Sequence, residues 1–453
     1  MLEKFKDTSE YLGRVLGYIH SDISEISDAE KEKITKETVD HFDNYVSPGW
    51  LKYRKSVSTN AAMLEWQDHD SNVTDLYGND FIDCLGGFGI YTCGHKNKEI
   101  VETVKAQLDH QALHSQELLD PLRGYLAKAV AQITPGDLQY CFFTNGGAEA
   151  NEMALKLARV ATGGRWYVST VNAFHGKSMG AVSMGGKDTY RIPYTPMVQQ
   201  VIHVEYGNAE DARKAIKNLI AVGEKVAAFI VEPVQGEAGI IIPPKGYLKE
   251  IRAICDEYGV AMICDEIQTG MGRTGHMWRC EGEDVVPDIL TFGKAFGGGI
   301  MPITGLICRP PMWTEQLVDN PWLLGSPTFG GNPVCCSAAI ATIKYMIDHD
   351  IPGECAKKGA LIKEGLDKLA AKYPDLIDEV RGIGLMLAME FKTSEIGYQV
   401  ATGMFSRKVI TAGTLVNAKC IRFEPASVIT EEQIAQVLQR LDESLADTRA
   451  AQK

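Results

Sequence analysis

The sequence predicts an α/β protein in which a large domain, with a mostly parallel sheet between helices, precedes a smaller α/β domain. From about residue 95 to 310, apolar strand-like runs alternate with helix-like ones. This alternation is typical of a parallel sheet that is covered by helices on both faces. The clearest helix, 246–258, has one apolar stripe, and Gly259 suits the left-handed position that ends a helix. With 453 residues, the chain is long enough for two domains.

The elements follow in a simple order. Residues 1–45 are dense in charge and predict helices, and residues 63–92 alternate like a meander of strands with a turn at 77–80. The alternating region predicts strands at 138–144, 165–170, 226–233, 260–264 and 288–292, and helices at 149–161 and 246–258. After residue 340 we expect a helix, one glycine-rich strand at 381–391 and a final helix at 430–447.

The order of elements divides the chain into three parts. We predict an N-terminal segment at 1–94 that packs with the small domain, a large domain at 95–339 and a small domain at 340–453. Strands of a parallel sheet present their ligands beyond their carboxyl ends, so we expect the active site at that edge of the large sheet.

Composition excludes several classes of protein. The net charge is −13 and no basic cluster is present, which argues against nucleic acid or an anionic membrane surface as a partner. No run has the length of a membrane helix or the apolar core of a signal peptide. The eleven cysteines are scattered and form no CxxC, which indicates reduced thiols and neither a disulfide framework nor a metal site. We therefore expect a cytoplasmic enzyme.

Lys294 and Asp265 form the most informative pair. Each lies at or just beyond the end of a predicted buried strand, and glycines surround Lys294 in TFGKAFGGG. Burial depresses the pKa of a lysine and frees its amine to form a Schiff base. A lysine imine together with an aspartate that faces a pyridinium nitrogen is the pair that pyridoxal 5'-phosphate (PLP) requires. Alone, either residue could be an ordinary surface lysine or a capping aspartate.

The stretch TNGGAEANE at 144–152 predicts a phosphate site. A strand ends there, Gly146 and Gly147 turn the chain, and the helix predicted at 149–161 begins. Free N–H groups and the positive end of the helix dipole bind phosphate without any particular side chain. The alternative is a plain glycine turn, and the stretch matches neither a Walker loop nor a dinucleotide fingerprint.

Other candidates for the cofactor site follow the predicted strands. Phe174 can stack on a pyridine ring, and its neighbour His175 joins it in AFHGKS. Glu232 ends the strand 226–233, and Gln268 follows Asp265 by three residues. Each has a structural alternative: a core phenylalanine, a capping carboxylate or a loop amide.

Two further segments predict ligand contacts. Thr328 precedes two glycines and an Asn-Pro turn. Arg422 is a lone arginine in an apolar run, and a buried guanidinium needs a carboxylate or phosphate partner. Arg422 is therefore either a substrate anchor or half of a core ion pair.

Six ordered motifs resemble the class III, or ω-, aminotransferases of PLP fold type I, and the likeness covers nearly the whole chain. They are AFHG (173–176), EPVQGEAG (232–239), CDEIQTGMGRTG (264–275), FGKAFGGG (292–299), TFGGNP (328–333) and IRFEP (421–425). Within this family, three segments outside the shared core resemble the bacterial putrescine aminotransferases. They are SPGWLKYRKS (47–56), FIDCLGGFGIYTCGHKN (81–97) and LHSQELLDPLR (113–123).

The resemblance implies a homodimer, or a dimer of such dimers, with each active site at the subunit interface. Lys294 is then the Schiff-base lysine, Asp265 the partner of the pyridine nitrogen, Phe174 the stacking ring and Gln268 a contact of the phenolic oxygen. Thr328 is implied to reach the phosphate of the neighbouring subunit's cofactor. For the substrates, the resemblance implies Arg422 as the anchor of the keto acid, Glu237 as its switch partner and Gln116 near the amine.

The chain departs from the family at the phosphate turn. Where the family usually has Ser-Gly-Thr, this sequence has Gly146, Gly147 and Ala148. Two hydroxyl donors are missing, and each lost hydrogen bond costs about 0.5–1.5 kcal/mol. We therefore expect backbone N–H groups and Thr328 to carry more of the phosphate binding.

The function we predict is transfer of the terminal amino group of a diamine, putrescine and also cadaverine, to 2-oxoglutarate. The alternatives are another ω-amine donor, such as ornithine, 4-aminobutyrate or acetylornithine, and a non-catalytic binding protein of the PLP fold. The sequence leaves open the choice between 2-oxoglutarate and pyruvate as acceptor.

Overall fold

The structure is a computed structural model that describes residues 5–51, 57–58, 61–198 and 200–452. The end of the motif at 47–56, residues 52–56, lies outside the described residues. The chain divides into two compact units. The first comprises the residues up to Asp68 together with Asn72–Ile82, and the second comprises His69–Ser71 and the residues from Asp83 on. The predicted boundaries at 94 and 339 stay a prediction.

The first unit contains helices and short paired strands. The helices are α1 (Lys6–His20) and α2 (Asp28–His41), and the strands are β1 (Val57–Ser58), β2 (Ala61–Ala62), β3 (Glu65–His69), β4 (Asn72–Asp75) and β5 (Asp80–Asp83). Strands β1 and β2 pair as a two-stranded sheet, whereas β5, β4 and β3 are neighbours in that order in another sheet. Leu76 packs against Ile26 and Ile34 in a small core. The turn predicted at 77–80 lies between β4 and β5, which pair antiparallel. Helices α1 and α2 confirm the helices predicted within residues 1–45.

A seven-stranded sheet dominates the second unit. Its strands are β6 (Tyr140–Thr144), β7 (Trp166–Thr170), β8 (Val201–Val204), β9 (Val226–Val231), β10 (Ala261–Asp265), β11 (Ile289–Phe292) and β12 (Thr304–Cys308). Their order in the sheet is β6-β12-β11-β10-β9-β7-β8. Neighbouring strands pair in parallel, except that β12 pairs antiparallel with β11 and with β6. The predicted mostly parallel sheet is confirmed.

Helices connect and cover these strands. They are α3 (Gly86–Gly89), α4 (Lys98–His110), α5 (Pro121–Ile133), α6 (Gly147–Thr162), α7 (Met179–Met184), α8 (Asp188–Arg191), α9 (Ala209–Ala221), α10 (Tyr247–Tyr258), α11 (Glu315–Asp319) and α12 (Pro333–Asp348). Helix α10 ends at Gly259 in the left-handed conformation, with φ of +65°, as its sequence predicts. Strands β9, β10 and β11 are buried along their whole length, as expected for strands covered on both faces.

The elements that follow are α13 (Ile351–Lys372), β13 (Ile377–Ile383), β14 (Met386–Phe391), α14 (Ser394–Ser406), β15 (Val409–Ile410), β16 (Ala412–Gly413), β17 (Cys420–Phe423) and α15 (Glu431–Ala451). A smaller antiparallel sheet has the strand order β13-β14-β17-β16, and β15 is not part of it. The single strand predicted at 381–391 is wrong, because the chain reverses at Gly384 and forms the hairpin of β13 and β14. Gly384 has φ of +56°, and a Cβ atom there would lie 2.5 Å from the Arg273 carbonyl oxygen. A glycine is therefore required at this turn, whereas the sequence analysis placed Gly384 inside a strand.

All eleven cysteines are free thiols, and all except the half-buried Cys141 are buried. Among the described residues, no helix is long and apolar enough to cross a membrane. The same part of the chain contains no group of three or more histidine, cysteine or acidic side chains that could hold a metal ion. The cytoplasmic location stays a prediction.

Candidate active site

The carboxyl edge of the large sheet gathers most of the predicted site residues around one cavity. The lining comes from the start of α6, from the loops after β7 and β9, and from the ends of β10 and β11. The predicted residues that line it are Gly147, Ala148, Phe174, His175, Glu232, Asp265, Gln268 and Lys294. A site at this edge is what the parallel topology predicts.

Asp265 ends β10 and lies at the floor of the cavity, almost fully buried. Its Oδ2 atom accepts hydrogen bonds from Nδ1 of His175 at 2.7 Å and from Nδ2 of Asn151 at 2.8 Å. Its Oδ1 atom accepts from the backbone N–H of Ile267 at 3.2 Å and from the Thr291 hydroxyl at 3.3 Å. Four donors thus fix the orientation of one buried carboxylate.

The same partners set the ionisation of this carboxylate. Burial alone raises the pKa of Asp265, but the hydrogen bond and charge of His175, together with the other donors, hold it below its ordinary value. For His175, burial lowers the pKa and Asp265 raises it, with a net rise. Asp265 is therefore a negative carboxylate at the end of β10, hydrogen-bonded to His175.

His175 has a second nitrogen, Nε2, which is buried and has no hydrogen-bond partner. Glu232 also lines the cavity, and its oxygens accept from the backbone N–H groups of Phe174 at 2.9 Å and Gly236 at 3.1 Å. Burial raises the pKa of Glu232 to about 7, because removal from water penalises the charged form. Glu232 can therefore hold a proton at neutral pH.

The start of α6 closes another side of the cavity. Gly146 caps the helix in an extended conformation and without a side-chain hydrogen bond, so the first N–H groups of α6 depend on other partners. A Cβ atom on Gly147 would lie 3.0 Å from the Ile267 side chain. Ala148 packs against Gly176, where φ is +121° and a Cβ atom would come within 2.5 Å of it. Small residues therefore keep this helix end open towards the cavity.

Lys294 begins a short 3₁₀ turn directly after β11 and has φ of +48°, a conformation that is uncommon for a residue with a side chain. The aliphatic part of its side chain passes Gly89, where a Cβ atom would lie 3.7 Å from Lys294 Cδ. Burial lowers the pKa of Lys294, although nearby carboxylates, first of all Glu237, oppose that change. The amine is therefore easier to deprotonate than that of a surface lysine.

Arg422 and Glu237 meet beside this cavity. Nη2 of Arg422 donates to Oε2 of Glu237 at 2.7 Å, and Nε of Arg422 donates to the Gly413 carbonyl at 3.2 Å. Arg422 is fully buried, and its guanidinium lies 5.0 Å from the centre of the Phe88 ring. The structure thus pairs Arg422 with Glu237, the two residues for which the resemblance implies a substrate switch.

Gln268 lines the cavity, and its side-chain amide lies close to Glu424 and to the Phe88 backbone. Its Nε2 atom donates to both carboxylate oxygens of Glu424, at 3.0 and 3.3 Å, and lies 3.4 Å from the Phe88 carbonyl. Its side chain also covers Gly236, where a Cβ atom would lie 1.8 Å from Gln268 Oε1. Gln268 therefore links the cavity to the surroundings of Arg422.

Gln116 and Thr328 come together at a separate, exposed place. Nε2 of Gln116 donates to the Thr328 carbonyl at 2.6 Å, and Arg123 donates to the carbonyls of Gly330 and Gly331 at 2.9 and 3.1 Å. Phe329, next to Thr328, accepts a hydrogen bond from Asn145 at 3.3 Å, so this loop also approaches the turn before α6. Both Gln116 and Thr328 are exposed.

The comparison with protein families identifies the chain. The model of the aminotransferase class-III family matches residues 56–445. This chain is a class III aminotransferase. Enzymes of this family are PLP-dependent transaminases, so the cofactor predicted from Lys294 and Asp265 is confirmed for the family.

Solved structures agree with this assignment. An ornithine aminotransferase from Toxoplasma gondii, whose active site has partial occupancy of PLP, is 26% identical over 92% of this chain and 95% of its own, with a TM-score of 0.82. A transaminase from the marine bacterium Virgibacillus is 26% identical over 93% of this chain and 100% of its own, with a TM-score of 0.85. The taurine:2-oxoglutarate aminotransferase from Bifidobacterium kashiwanohense, in complex with PLP and glutamate, is 26% identical over 91% and 97%, with a TM-score of 0.82.

Three residues of this class III aminotransferase site were not predicted from the sequence. Asn151 lies four residues after Gly147, on the same face of α6, and that spacing is a usable signal. Glu424 lies two residues after Arg422, and side chains at that spacing share one side of a strand. Thr291 precedes Lys294 by three residues in β11, and no local signal indicates that its hydroxyl reaches Asn151.

Proposed function

We propose that this class III aminotransferase transfers the terminal amino group of a diamine, putrescine and also cadaverine, to 2-oxoglutarate. From putrescine the products are 4-aminobutanal and glutamate. The observation that carries the proposal is the buried ion pair of Arg422 with Glu237, because it presents little net charge to a cationic donor. The resemblance of segments 81–97 and 113–123 to putrescine aminotransferases supports the choice of donor.

The cavity fits PLP. The buried Nε2 atom of His175 has no partner within the protein, small residues leave the start of α6 open, and Asp265 provides a negative carboxylate. We propose that the N–H groups at Gly147 and Ala148 hold the phosphate, since a helix start favours an anion without needing hydroxyl side chains. In this assignment Asp265 and His175 would lie beside the pyridine ring of the cofactor.

Other predicted contacts complete this cofactor assignment. Phe174 would stack on the ring, Gln268 would contact the phenolic oxygen and Glu232 would lie near the cofactor. Gly146 forms the turn before α6. Thr328 would reach the phosphate of the neighbouring subunit's cofactor, so the proposed active unit is a homodimer.

When bound, PLP supplies a carbonyl carbon that takes up an amine covalently and a ring that accepts the electron pair of a broken C–H bond. Lys294 would hold the cofactor before the substrate arrives, and its released amine would take a proton at Nζ from the substrate carbon and return it on the cofactor side. Asp265 would keep the ring nitrogen protonated, and each pKa unit of that effect corresponds to about 1.4 kcal/mol.

A site for both a diamine and a dicarboxylate has a charge conflict. Arg422 must bind the carboxylate of the acceptor without repelling the donor. Glu237 neutralises Arg422 while the diamine is bound and moves away when the keto acid arrives. A planar guanidinium can then bind the α-carboxylate through two parallel hydrogen bonds, which a lysine cannot reproduce.

The first experiment is a panel of amine donors, with the absorbance of the holoenzyme followed in a single turnover without acceptor. Putrescine and cadaverine should convert the bound cofactor to its aminated form faster than ornithine, 4-aminobutyrate, acetylornithine or taurine at equal concentration. A second panel compares 2-oxoglutarate with pyruvate in the return reaction. Faster conversion by an amino acid donor than by either diamine contradicts the proposal.

The second experiment separates the two half-reactions in Arg422→Ala and Glu237→Ala. Loss of Arg422 should weaken the return reaction with 2-oxoglutarate while single-turnover amination by putrescine stays nearly unchanged. Loss of Glu237 should weaken amination by putrescine and leave acid binding as strong or stronger, because Arg422 is then unpaired. Equal damage to both half-reactions in Arg422→Ala means that this ion pair is structural.

The second candidate function is transamination of another ω-amine donor. The similarity to the ornithine and taurine aminotransferases supports it. Ornithine and 4-aminobutyrate would each need an anchor for the donor's own carboxylate, in addition to Arg422. The donor panel decides between the two candidates.

A further inference from the structure

Two groups, the Nη1 nitrogen of Arg422 and the carboxylate of Glu424, have no part in the mechanism above. Nη1 of Arg422 is buried and makes no hydrogen bond. Glu424 is fully buried, and its Oε2 atom lies 3.8 Å from that nitrogen. A buried donor without a partner is costly, so this edge of the guanidinium is prepared for a further acceptor.

The hydrogen bonds of Arg422 define where an acceptor can approach. Nε is already bound to the Gly413 carbonyl, while Nη2 is bound to Glu237, the partner that moves in the proposed function. A carboxylate that binds with both oxygens needs two N–H groups on one edge of the guanidinium. The edge with Nη1 and Nη2 is the one that becomes available, and Glu424 lies next to it.

Glu424 then becomes the nearest negative charge to the incoming acid. Its charged surroundings are Arg422, Arg273, Lys294 and Glu237, and its carboxylate oxygens also accept from Gln268. Burial raises the pKa of Glu424, and the cations Arg422 and Arg273 oppose that rise. Two carboxylates on one arginine repel each other unless one of them takes up a proton.

We propose that Glu424 sets the charge preference of the substrate site. It is an anion while a diamine is bound, which favours the distal ammonium group, and it takes one proton from solvent when the keto acid's carboxylate reaches the Nη1 and Nη2 edge of Arg422. The inference rests on the proposed function, because it needs Arg422 to bind the acceptor. It adds a proton to the acceptor half-reaction that the donor half-reaction does not require.

The test measures protons directly. Glutarate, a dicarboxylate with no keto group to react, is titrated into the full-length holoenzyme by calorimetry in buffers with different heats of ionisation. The wild type should take up close to one proton per site in the pH range where Glu424 starts as an anion. In that same range, the glutarate affinity should fall by about tenfold per pH unit, because each complex formed takes up one proton.

Two isosteric variants locate the proton. Glu424→Gln should abolish both the proton uptake and this pH dependence. Glu237→Gln is the matched control, since it alters the other carboxylate on Arg422, and it should keep the uptake. Uptake that survives in Glu424→Gln, or that disappears only in Glu237→Gln, overturns the inference.

The donor side gives an independent measurement. Putrescine and butylamine have the same chain length, but butylamine has no distal charge. Glu424→Gln should lower the ratio of their single-turnover rate constants by about tenfold, the effect of one pKa unit of charge interaction. An unchanged ratio contradicts the role of Glu424 in donor selection.

Failure of the inference can be distinguished from failure of the proposed function. Arg422→Ala should lose glutarate binding whether or not a proton accompanies it. If wild-type binding needs Arg422 but brings no proton, the proposed function stands and this inference is wrong. If glutarate binds equally well without Arg422, the proposed function is wrong as well.

Discussion

Replacing Asn151 with alanine should destabilise the apoprotein by several kilocalories per mole, because one buried amide joins three groups of the site. Its Nδ2 donates to Asp265 and to the His175 carbonyl, each at 2.8 Å, and its Oδ1 accepts from the Thr291 hydroxyl at 2.9 Å. Losing a hydrogen bond to a charged group costs about 1.5–3 kcal/mol, and leaving a buried carbonyl unsatisfied costs about 1–3 kcal/mol. Because the Thr291 hydroxyl, which lies 3.3 Å from Asp265 Oδ1, can then donate its one hydrogen to Asp265, we expect a total of about 3–5 kcal/mol.

The same substitution should alter the electrostatics of the cofactor site. Burial raises the pKa of Asp265 and His175 is its strongest opposing partner, so loss of Asn151 weakens but does not remove the stabilisation of the carboxylate. We expect the acidic limb of the pH–rate profile to move to higher pH. A pH titration of the absorbance of the bound cofactor checks this shift without relying on turnover.

Urea unfolding of the apoprotein measures the stability change. The matched control is Asn97→Ala, which removes the cap of α4 from the N–H groups of Glu99 and Ile100 and should cost about 1 kcal/mol. It should leave the pH titration of the cofactor unchanged. A loss below 1 kcal/mol in Asn151→Ala, or an equal spectral change in both variants, refutes the assignment of Asn151 to the support of Asp265.

Three further predictions concern the cofactor site. Lys294→Ala should lose the covalent attachment of PLP, so borohydride reduction followed by mass spectrometry should detect no cofactor adduct on the chain, and an adduct at the usual yield would place the attachment elsewhere. The apoprotein should lose stability as pH rises from 4.5 to about 7, because Glu232 keeps a proton in the native state that the unfolded chain releases. The expected loss in the free energy of unfolding is about 3 kcal/mol. Urea unfolding at several pH values measures it, and the loss should vanish in Glu232→Gln. Mixing Lys294→Ala subunits with Thr328→Ala subunits should restore activity if Thr328 serves the partner's site, since one site of the heterodimer then carries neither change; subunit exchange without recovery contradicts that role.

The sequence predicted the large sheet because its strands are buried on both faces and therefore read as continuous apolar runs. The predicted strand 260–264 differs from β10 by one residue at each end, and Asp265 lies at its carboxyl end as expected. Position along the chain was enough here, because the ends of parallel strands meet at one edge of the sheet. The hairpin of β13 and β14 was missed because its turn needs only Gly384 and Leu385, and a glycine inside an apolar run gives a weak turn signal.

The support of Asp265 was less accessible to sequence reasoning. His175 was assigned to the cofactor site, but its pairing with Asp265 joins positions on two different strand ends. The hydrogen bond of Thr291 to Asn151 joins β11 to α6 across 140 positions. Such contacts depend on how a helix lies on a sheet, and no local period or turn residue encodes that placement.

The proposed substrate switch requires that the pairing of Arg422 with Glu237 has a moderate energy. Glu237 follows β9 of the large sheet, whereas Arg422 belongs to β17 of the small sheet. The same oxygen of Glu237 accepts from Arg422 at 2.7 Å and from the backbone N–H of Leu415 at 2.9 Å, so moving Glu237 breaks both bonds. Each such bond contributes about 0.5–3 kcal/mol, which a two-pronged contact of Arg422 with an acceptor carboxylate can offset. A stronger native pair would exclude the acid, and a weaker one would leave Arg422 charged towards the diamine.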